Sequence, residues 1–315
     1  MPVTITSLSH MTVLLAHGPQ AADLLQAQLT QEVHDWPADT ARMAAFCTPQ
    51  GRMLADFLLW KASAGGIAMA LDASLAEATL KRLRMFILRL QCKVDDASAG
   101  QALFGVLQSP GEDDVLGPDA WPCPAEPWAV QRREGMALIR LPDAPGSRRL
   151  LLVSESPLGL RDIQGLHTQI GAGTKEEWML AEVRAGIGHV TGATAQQFVP
   201  QMLNYEALGA VDFKKGCYPG QEIVARTQYR GTIKRRSFRL VGSGPLAAGD
   251  EIFQSGDPTQ PCGMVVAAAP ATSNWEALAE LKIAATTMPG TLHARSLDGP
   301  ALTVATLPYT LPAQD

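Results

Sequence analysis

The chain of 315 residues is 46% hydrophobic and 18% charged, and its net charge is −5. This composition excludes a disordered chain, and the mildly acidic balance argues against a protein whose whole surface binds nucleic acid, although it permits a local basic patch. At roughly 150 residues per domain, the length suggests two domains or one large, elaborated domain.

The N-terminal part of the chain has a mixed pattern of strands and helices. "SHMTVLLAHG" predicts a strand, and "GPQAADLLQAQLT" predicts a helix, because its leucines recur at helical spacing. "RMAAFCTPQGRMLADFLLWKA" predicts two strands joined by a turn, and "IAMALD" predicts one more. The segment "SLAEATLKRLRMFILRL" predicts an amphipathic helix that is capped by Ser74 and buries Leu80, Leu83, Phe86, Ile87 and Leu90.

Residues 93–170 repeat the mixed pattern less clearly, and the pattern changes to short strands after Gly231. Strands are predicted at "ALFGVL", "GMALIRL" and "RRLLLVS", and "PGEDDVLGPDAWPCPAEP" predicts a loop. "TKEEWMLAEVRAG" predicts a helix with a capping box between Thr174 and Glu177 and a stop at Gly186. Short runs then recur at roughly ten-residue intervals, which is typical of a small β-barrel or sandwich. We therefore predict an α+β region over residues 1–232 and an all-β domain over residues 233–315.

The five cysteines are scattered along the chain. No C-x-x-C pair and no Cys/His cluster with the spacing of metal ligands occurs, so no metal site is predicted. The N-terminus lacks basic residues before its apolar stretch, and no apolar run approaches the ~20 residues that span a bilayer. We expect a soluble, reduced, cytoplasmic protein without stable membrane contact.

The segment "FKKGCYPGQEIVARTQYRGTIKRR" concentrates positive charge around one thiol, Cys217. A short helix is predicted after the thiol, and both the helix N-terminus and the adjacent Lys214 and Lys215 favour the reactive thiolate. A lone cysteine is also commonly a small buried hydrophobic residue, so a structural role stays open. A Cys–His nucleophile would need His189 or His10 to be brought in by the fold.

Basic residues continue beyond the thiol. Eight Lys and Arg residues lie between Lys214 and Arg239, one of them Arg230, and Glu222 is the only acidic residue among them. This run is either a solvated face or hinge, or a site for a small anion or an acidic partner.

One stretch of the sequence closely resembles a known family. "FVPQMLNYEALGAVDFKKGCYPGQEIVAR", residues 198–226, is similar to the signature of the YgfZ family, and its Lys-Gly-Cys-Tyr-x-Gly-Gln-Glu core at residues 215–222 is the most specific part. These proteins bind folate, are like the T-protein of the glycine cleavage system, and are linked to iron–sulfur enzyme maintenance and tRNA modification. Weaker likeness at "LLQAQLTQEV", "CTPQGRMLADFLLW" and "LPYTLP" extends over most of the chain.

The resemblance implies a T-protein-like α+β fold with several lobes around a central cavity. Two intertwined lobes would occupy residues 1–232 and a β-barrel residues 233–315. The cavity would take tetrahydrofolate or a derivative, with Cys217 at its rim, and Cys217 and Lys215 would be the chemically active residues. By motif position, the cofactor-binding residues would be Trp178, Met11, Asp56, Arg184, Tyr218, Gln221 and Glu222. For Trp178, ordinary core packing is an equal alternative.

Two departures from the aminomethyltransferase relatives bear on function. Those relatives usually have consecutive aspartates where this chain has Ala55 and Asp56, and a Glu-Ala-Gly motif where it has Arg184 before Ala-Gly. A carboxylate can accept two parallel hydrogen bonds from the edge of a pteridine, whereas a guanidinium only donates. Folate would then sit differently, bind more weakly or contact Arg184 through its tail. Glu182, about 200° away around the helix, is not expected to replace the motif's glutamate.

The leading hypothesis is a folate-binding accessory protein without its own turnover. It would support assembly or repair of iron–sulfur clusters in client enzymes and thereby tRNA modification, with reduced folate and client or assembly proteins as partners. Direct tRNA binding is not supported by the net charge. The alternatives are a folate-dependent one-carbon transferase using Asp56, a thiol redox protein, and a scaffold whose basic hinge binds an acidic partner.

Overall fold

The computed structural model describes residues 3–110, 123–133, 135–156, 158, 170–229, 231 and 233–312. Most of the predicted loop at residues 110–127 lies outside the described residues, as does Arg230 of the basic run. Within these ranges, no helix is both long and apolar enough to cross a bilayer.

A five-stranded antiparallel sheet forms the first lobe. Its strands are ordered β3-β4-β5-β2-β6, with β2 at Met11–His17, β3 at Arg42–Cys47, β4 at Met53–Lys61, β5 at Ile67–Asp72 and β6 at Lys93–Asp96. Helices α1 (Ala21–Gln26) and α2 (Ala76–Arg84) connect its strands. The predicted strand pair is confirmed as β3 and β4, because residues 48–52 form a tight turn in which Gly51 has φ +73°.

A second, six-stranded sheet is interleaved with the first along the chain. Its order is β11-β1-β7-β10-β9-β8, with β1 at Thr4–Ser7, β7 at Ala102–Gln108, β8 at Val130–Arg133, β9 at Met136–Ala144, β10 at Ser147–Ser154 and β11 at Gly171–Ala172. The chain begins in this sheet, crosses to the five-stranded sheet for β2 to β6, and returns with β7. The two lobes are therefore intertwined in sequence, and the space between them is lined from both.

The C-terminal strands close into a barrel, which is one of the two architectures indicated by the spacing of short apolar runs and the one that the family resemblance implies. The barrel order is β12-β15-β14-β13-β16-β17, with β12 at Arg235–Gly242, β13 at Glu251–Gln254, β14 at Gly263–Pro270, β15 at Trp275–Lys282, β16 at Leu292–Ala294 and β17 at Ala301–Ala305. It has its own apolar core, which includes Leu240, Ile252, Val265 and Leu281.

Helix α3 (Lys175–Ala185) packs against the barrel strands β14 and β15 on one side and against β1 and β9 on the other. Its predicted capping box is present: the Glu177 amide donates to Thr174 Oγ1 at 3.1 Å, and the Thr174 amide donates to Glu177 Oε2 at 2.8 Å. Gly186 ends the helix in the left-handed conformation, with φ +74°. Helix α3 therefore joins the barrel to the six-stranded sheet.

The predicted long helix after β5 is shorter than expected. Helix α2 ends at Arg84, and Asp72 rather than Ser74 caps the turn before it, because the Asp72 side chain accepts from the Ser74 amide at 3.0 Å. The Arg84 side chain binds the Val94 carbonyl at 2.9 Å and so ties the helix end to β6. Of the predicted buried stripe only Leu83 is fully buried. Leu80 is half-buried within α2, and the other three residues lie in the irregular segment 85–90.

Candidate functional site

A small cavity of about 30 Å³ lies between the two sheets and helix α3. This is the space of one or two water molecules, so a ring-sized ligand enters only when the walls move apart, and the walls are mostly apolar. Its lining consists of Met11, Met43, Leu58, Trp128, Leu141, Arg149, Leu151, Trp178, Glu182, Ile187 and His189. The fold thus brings together Met11 and Trp178, two of the residues predicted to bind the cofactor.

Two indole side chains contribute to the walls of this cavity. Trp178 is almost fully buried, and it packs against β7 at Gly105, where the absence of a side chain makes room for the ring. The guanidinium of Arg149 lies 5.0 Å from the ring centroid of Trp178. Trp128, which sequence analysis did not single out, adds a second indole and has an unusual φ of +72°.

Helix α3 presents a carboxylate to the cavity, and the residue is Glu182. It stands four residues after Trp178, so the two side chains share one face of the helix. Glu182 Oε1 accepts from an Arg149 amino group at 3.2 Å, and no hydrogen bond within the described part of the chain engages Oε2. Glu182 and Arg184 thus face different cavities, as their separation of about 200° around the helix predicts, and the four-residue spacing from Trp178 is the signal that places Glu182 at this one.

Arg184 lies elsewhere. It lines a separate cavity of about 180 Å³ on the other side of α3, and its guanidinium binds Glu276 on β15 at 2.6 and 3.0 Å. Glu276 also accepts from Arg239, and both arginines keep the pKa of its carboxyl below the usual value against the opposing effect of burial. Arg184 thus connects α3 to the barrel and does not line the cavity that contains Trp178.

Asp56 stands one layer behind the cavity wall. Its Oδ2 accepts from His189 Nδ1 at 2.6 Å, and its Oδ1 accepts from the Val190 amide at 2.6 Å. Asp56 is 4% exposed, whereas the His189 side chain is 30% exposed and lines the cavity. His189, which sequence analysis considered as a partner for Cys217, is thus hydrogen-bonded to Asp56.

The Cys217 loop is a different place from this cavity. Cys217 is exposed and is not among the residues that line the cavity. The Lys215 amino group points inward and donates to the carbonyl oxygens of Gln26 at 2.6 Å and Leu29 at 2.5 Å, just after α1. Burial lowers the pKa of Lys215 to about 8. Lys215 therefore anchors the loop to the first lobe.

The rest of the signature holds the loop in place. Tyr218 is buried beneath the Lys215 amino group, which lies 5.1 Å from its ring centroid, and Gln221 lies 3.5 Å from the Lys215 carbonyl. Gly220 has φ +83° and approaches the turn between β3 and β4 so closely that a Cβ would lie 2.5 Å from the Thr48 carbonyl oxygen. Helix α4 (Gln221–Tyr229) follows, with Glu222 exposed in its first turn.

Three of the eight basic residues in the predicted run pair with acidic residues from other parts of the chain. Arg235 pairs with Glu280, Arg236 with Glu206 at 2.5 Å, and Arg239 with Glu276 at 3.0 Å. Lys214, Arg226 and Lys234 remain exposed. The arginines at the start of the barrel therefore serve internal contacts, and the exposed charge around Cys217 is smaller than the sequence suggests.

Comparisons with known proteins bear on the identity of this arrangement. No protein-family model matches the chain. The chain is 31% identical to the tRNA-modifying protein YgfZ of Serratia proteamaculans over 283 residues, which cover 85% of this chain and 81% of that protein. It is 30% identical to the tRNA-modifying protein YgfZ of Sodalis glossinidius over 321 residues, which cover 99% and 94%.

The fold also has a solved counterpart. The crystal structure of the glycine cleavage system aminomethyltransferase T from Bartonella henselae matches with a TM-score of 0.75 at 16% identity, over 98% of this chain and 86% of that one. This match confirms the predicted T-protein-like fold.

Proposed function

This chain belongs to the YgfZ family, and on that premise we propose that it is a folate-binding accessory protein. It supports the assembly or repair of iron–sulfur clusters in client enzymes and thereby tRNA modification, the activity named for its relatives. Tetrahydrofolate or a derivative occupies the cavity between the two lobes, and the Cys217 loop is the surface at which a client or assembly protein acts.

The observation that carries this proposal is a carboxylate beside an indole in a mostly apolar cavity. A pteridine is a flat ring, which the indole of Trp178 contacts by its face. Its amino group and ring N–H form a row of donors, and a carboxylate such as Glu182 accepts both. One oxygen of Glu182 is held by Arg149, so the side chain is oriented before a ligand arrives.

Two buried donors in the cavity support the fit of such a ligand. Arg149 Nε and Trp178 Nε1 have no hydrogen-bond partner within the described residues, although both side chains are about 1% exposed. Buried polar atoms in native proteins are nearly always paired, and each unpaired one calls for an explanation. A bound ligand with acceptor atoms would satisfy them.

The state of Asp56 supports an accessory role over a one-carbon transferase. A transferase would need a carboxylate facing the folate, and Asp56 was the candidate. Both of its oxygens already accept hydrogen bonds, from His189 and from the Val190 amide. The exposed thiol of Cys217, on a loop anchored by Lys215, instead supports chemistry at a surface that a partner can reach.

Anaerobic calorimetry with tetrahydrofolate tests the cofactor. We expect saturable one-to-one binding that Glu182→Gln weakens about tenfold to a hundredfold, because a charge-assisted hydrogen bond is worth roughly 1.5–3 kcal/mol. Glu222→Gln, on the exposed first turn of α4, is the matched control and should bind as the native protein does. No binding up to millimolar tetrahydrofolate would overturn the proposal.

A test in cells addresses the thiol. Cells whose own copy carries Cys217→Ser should lose activity of an iron–sulfur tRNA-modifying enzyme, while Cys92→Ser, a half-buried cysteine elsewhere, should not. Both variants must be present at native protein levels. If the iron–sulfur enzyme keeps full activity in cells with Cys217→Ser, the thiol has no role in the proposed function.

A further inference from the structure

Four charged side chains form a line across one wall of the cavity. Asp56 Oδ2 lies 2.6 Å from His189 Nδ1, His189 Nε2 lies 3.9 Å from Glu182 Oε1, and Glu182 Oε1 lies 3.2 Å from Arg149. These residues come from β4, the segment after α3, α3 itself and β10. Packing of three separate elements thus places a histidine between two carboxylates.

Within this line, the histidine and not the aspartate reaches the cavity. Asp56 is 4% exposed and has both oxygens engaged, whereas the His189 side chain is 30% exposed and lines the cavity wall. Because Asp56 holds Nδ1, the ring atom left for a ligand is Nε2. Its distance of 3.9 Å from Glu182 is longer than a hydrogen bond, so Nε2 has room for another partner.

We propose that His189, rather than Asp56, meets the ligand in this cavity, and that it does so as a positively charged hydrogen-bond donor held in place by Asp56. The inference rests on the proposed function, because it names how the same cavity recognises its ligand. His189 is then a residue that determines specificity: Nε2–H donates to an acceptor on the ligand, next to the donors that Glu182 accepts.

The groups around His189 favour its charged form. Burial alone lowers the pKa of His189, but the Asp56 carboxylate raises it to about 9, with Glu182 adding to the increase and Arg149 opposing it. Two further titratable groups lie close by. Burial lowers the pKa of His10 and raises that of the buried Tyr205, so both are neutral near pH 7. The imidazolium is therefore balanced by Asp56, while Arg149 balances Glu182.

This arrangement matches one edge of a pterin. That edge carries an amino group, a ring N–H and a carbonyl oxygen in a row: two donors followed by an acceptor. A carboxylate beside an imidazolium offers the complementary pattern, because Glu182 only accepts and protonated His189 only donates. A carboxylate at the position of His189 would repel the carbonyl oxygen. The site should therefore prefer pterins with a carbonyl at this position over analogues with an amino group there.

Two ligands that differ at this edge test the preference. Tetrahydrofolate carries the carbonyl and the neighbouring ring N–H, whereas tetrahydroaminopterin carries an amino group in place of the carbonyl and a ring nitrogen without hydrogen beside it. Anaerobic calorimetry should show that the native protein binds tetrahydrofolate about tenfold to a hundredfold more tightly than tetrahydroaminopterin. His189→Leu should lose the part of this preference that depends on the carbonyl, through weaker tetrahydrofolate binding, and keep the part that depends on the ring N–H and Glu182. His293→Gln is the control, because that histidine is hydrogen-bonded within the barrel.

A second measurement does not depend on a ligand. Imidazole NMR spectra of the unliganded protein, assigned with His189→Gln, should show His189 protonated at pH 7 and losing its proton near pH 9. In Asp56→Asn the pKa of His189 should fall. This variant should bind tetrahydrofolate more weakly than the native protein, and the difference in affinity should be larger at pH 8 than at pH 6. A merely structural role of Asp56 would give the same deficit at both pH values.

The outcomes separate the two proposals. If tetrahydrofolate does not bind the native protein, the proposed function fails and this inference fails with it. If tetrahydrofolate binds and folded His189→Gln and His189→Leu bind both ligands as the native protein does, only the inference is overturned. A neutral His189 at pH 7 in the unliganded protein would also overturn it.

Discussion

Replacement of Gly105 by alanine should displace the indole that forms a wall of the folate cavity. A Cβ on Gly105 would lie 2.5 Å from Cδ2 and 2.7 Å from Cζ3 of Trp178, where an ordinary contact is at least 3.4 Å. Cε3 of the ring would lie closer still, so the ring would have to move by more than 0.9 Å, the difference between 3.4 and 2.5 Å. Trp178 is almost fully buried, so this shift transmits strain to its neighbours. Overpacking of this kind costs about 1–3 kcal/mol.

Two assays measure the effect of Gly105→Ala. Urea unfolding should show a loss of about 1–3 kcal/mol in the free energy of unfolding. Tetrahydrofolate affinity should also fall, because the displaced ring enters the cavity. Gly100→Ala is the matched control just before the same strand, since a Cβ there meets no atom within 4 Å. If Gly105→Ala is as stable as Gly100→Ala and binds tetrahydrofolate equally well, the assigned packing of Trp178 is wrong.

Further predictions concern pH, the contact with the barrel, and the thiols. The pKa of His189 rises from 6.5 to about 9 on folding, so its stabilising effect is fully present below pH 6.5 and is lost as the pH rises through about 9. The difference in free energy of unfolding between the native protein and His189→Gln, measured in urea, should decrease between pH 6.5 and about 9. A constant difference would contradict the predicted pKa. Arg184→Ala removes an ion pair with Glu276 and should cost about 1 kcal/mol or less while leaving tetrahydrofolate affinity unchanged; a tenfold loss of affinity would instead place Arg184 at the ligand. Iodoacetamide should label exposed Cys217 first and Cys47 last, because burial raises the pKa of Cys47 to about 12; comparable labelling of both, mapped by peptide mass, would refute this.

Local patterns in the sequence were sufficient for much of the fold. The capping box at Thr174 and the strand pair around the turn at Gly51 follow from residues close together in the chain, and the structure has both. The short C-terminal runs indicated a barrel or a sandwich, and the structure has the barrel. The signature at residues 215–222 indicated the family, and the relatives confirm it. The amphipathic pattern after Ser74 predicted a helix to residue 90, but α2 ends at Arg84 because that side chain binds β6, a contact that periodicity does not encode.

The candidate site depended on contacts between distant parts of the chain. The charge of Lys215 suggested a cation beside the thiol, yet its amino group binds carbonyl oxygens 186 and 189 residues away. Asp56 and His189 are 133 residues apart, and their pairing decides which of them faces the cavity. Packing between the sheets and the barrel determines which face of α3 meets the cavity. It therefore also determines that Glu182, and not Arg184, lies there. Sequence alone thus determined the elements and the family, because both rest on local patterns. Tertiary structure alone decided the polar pairs, because a buried charge takes the partner that the packing of separate lobes brings within reach.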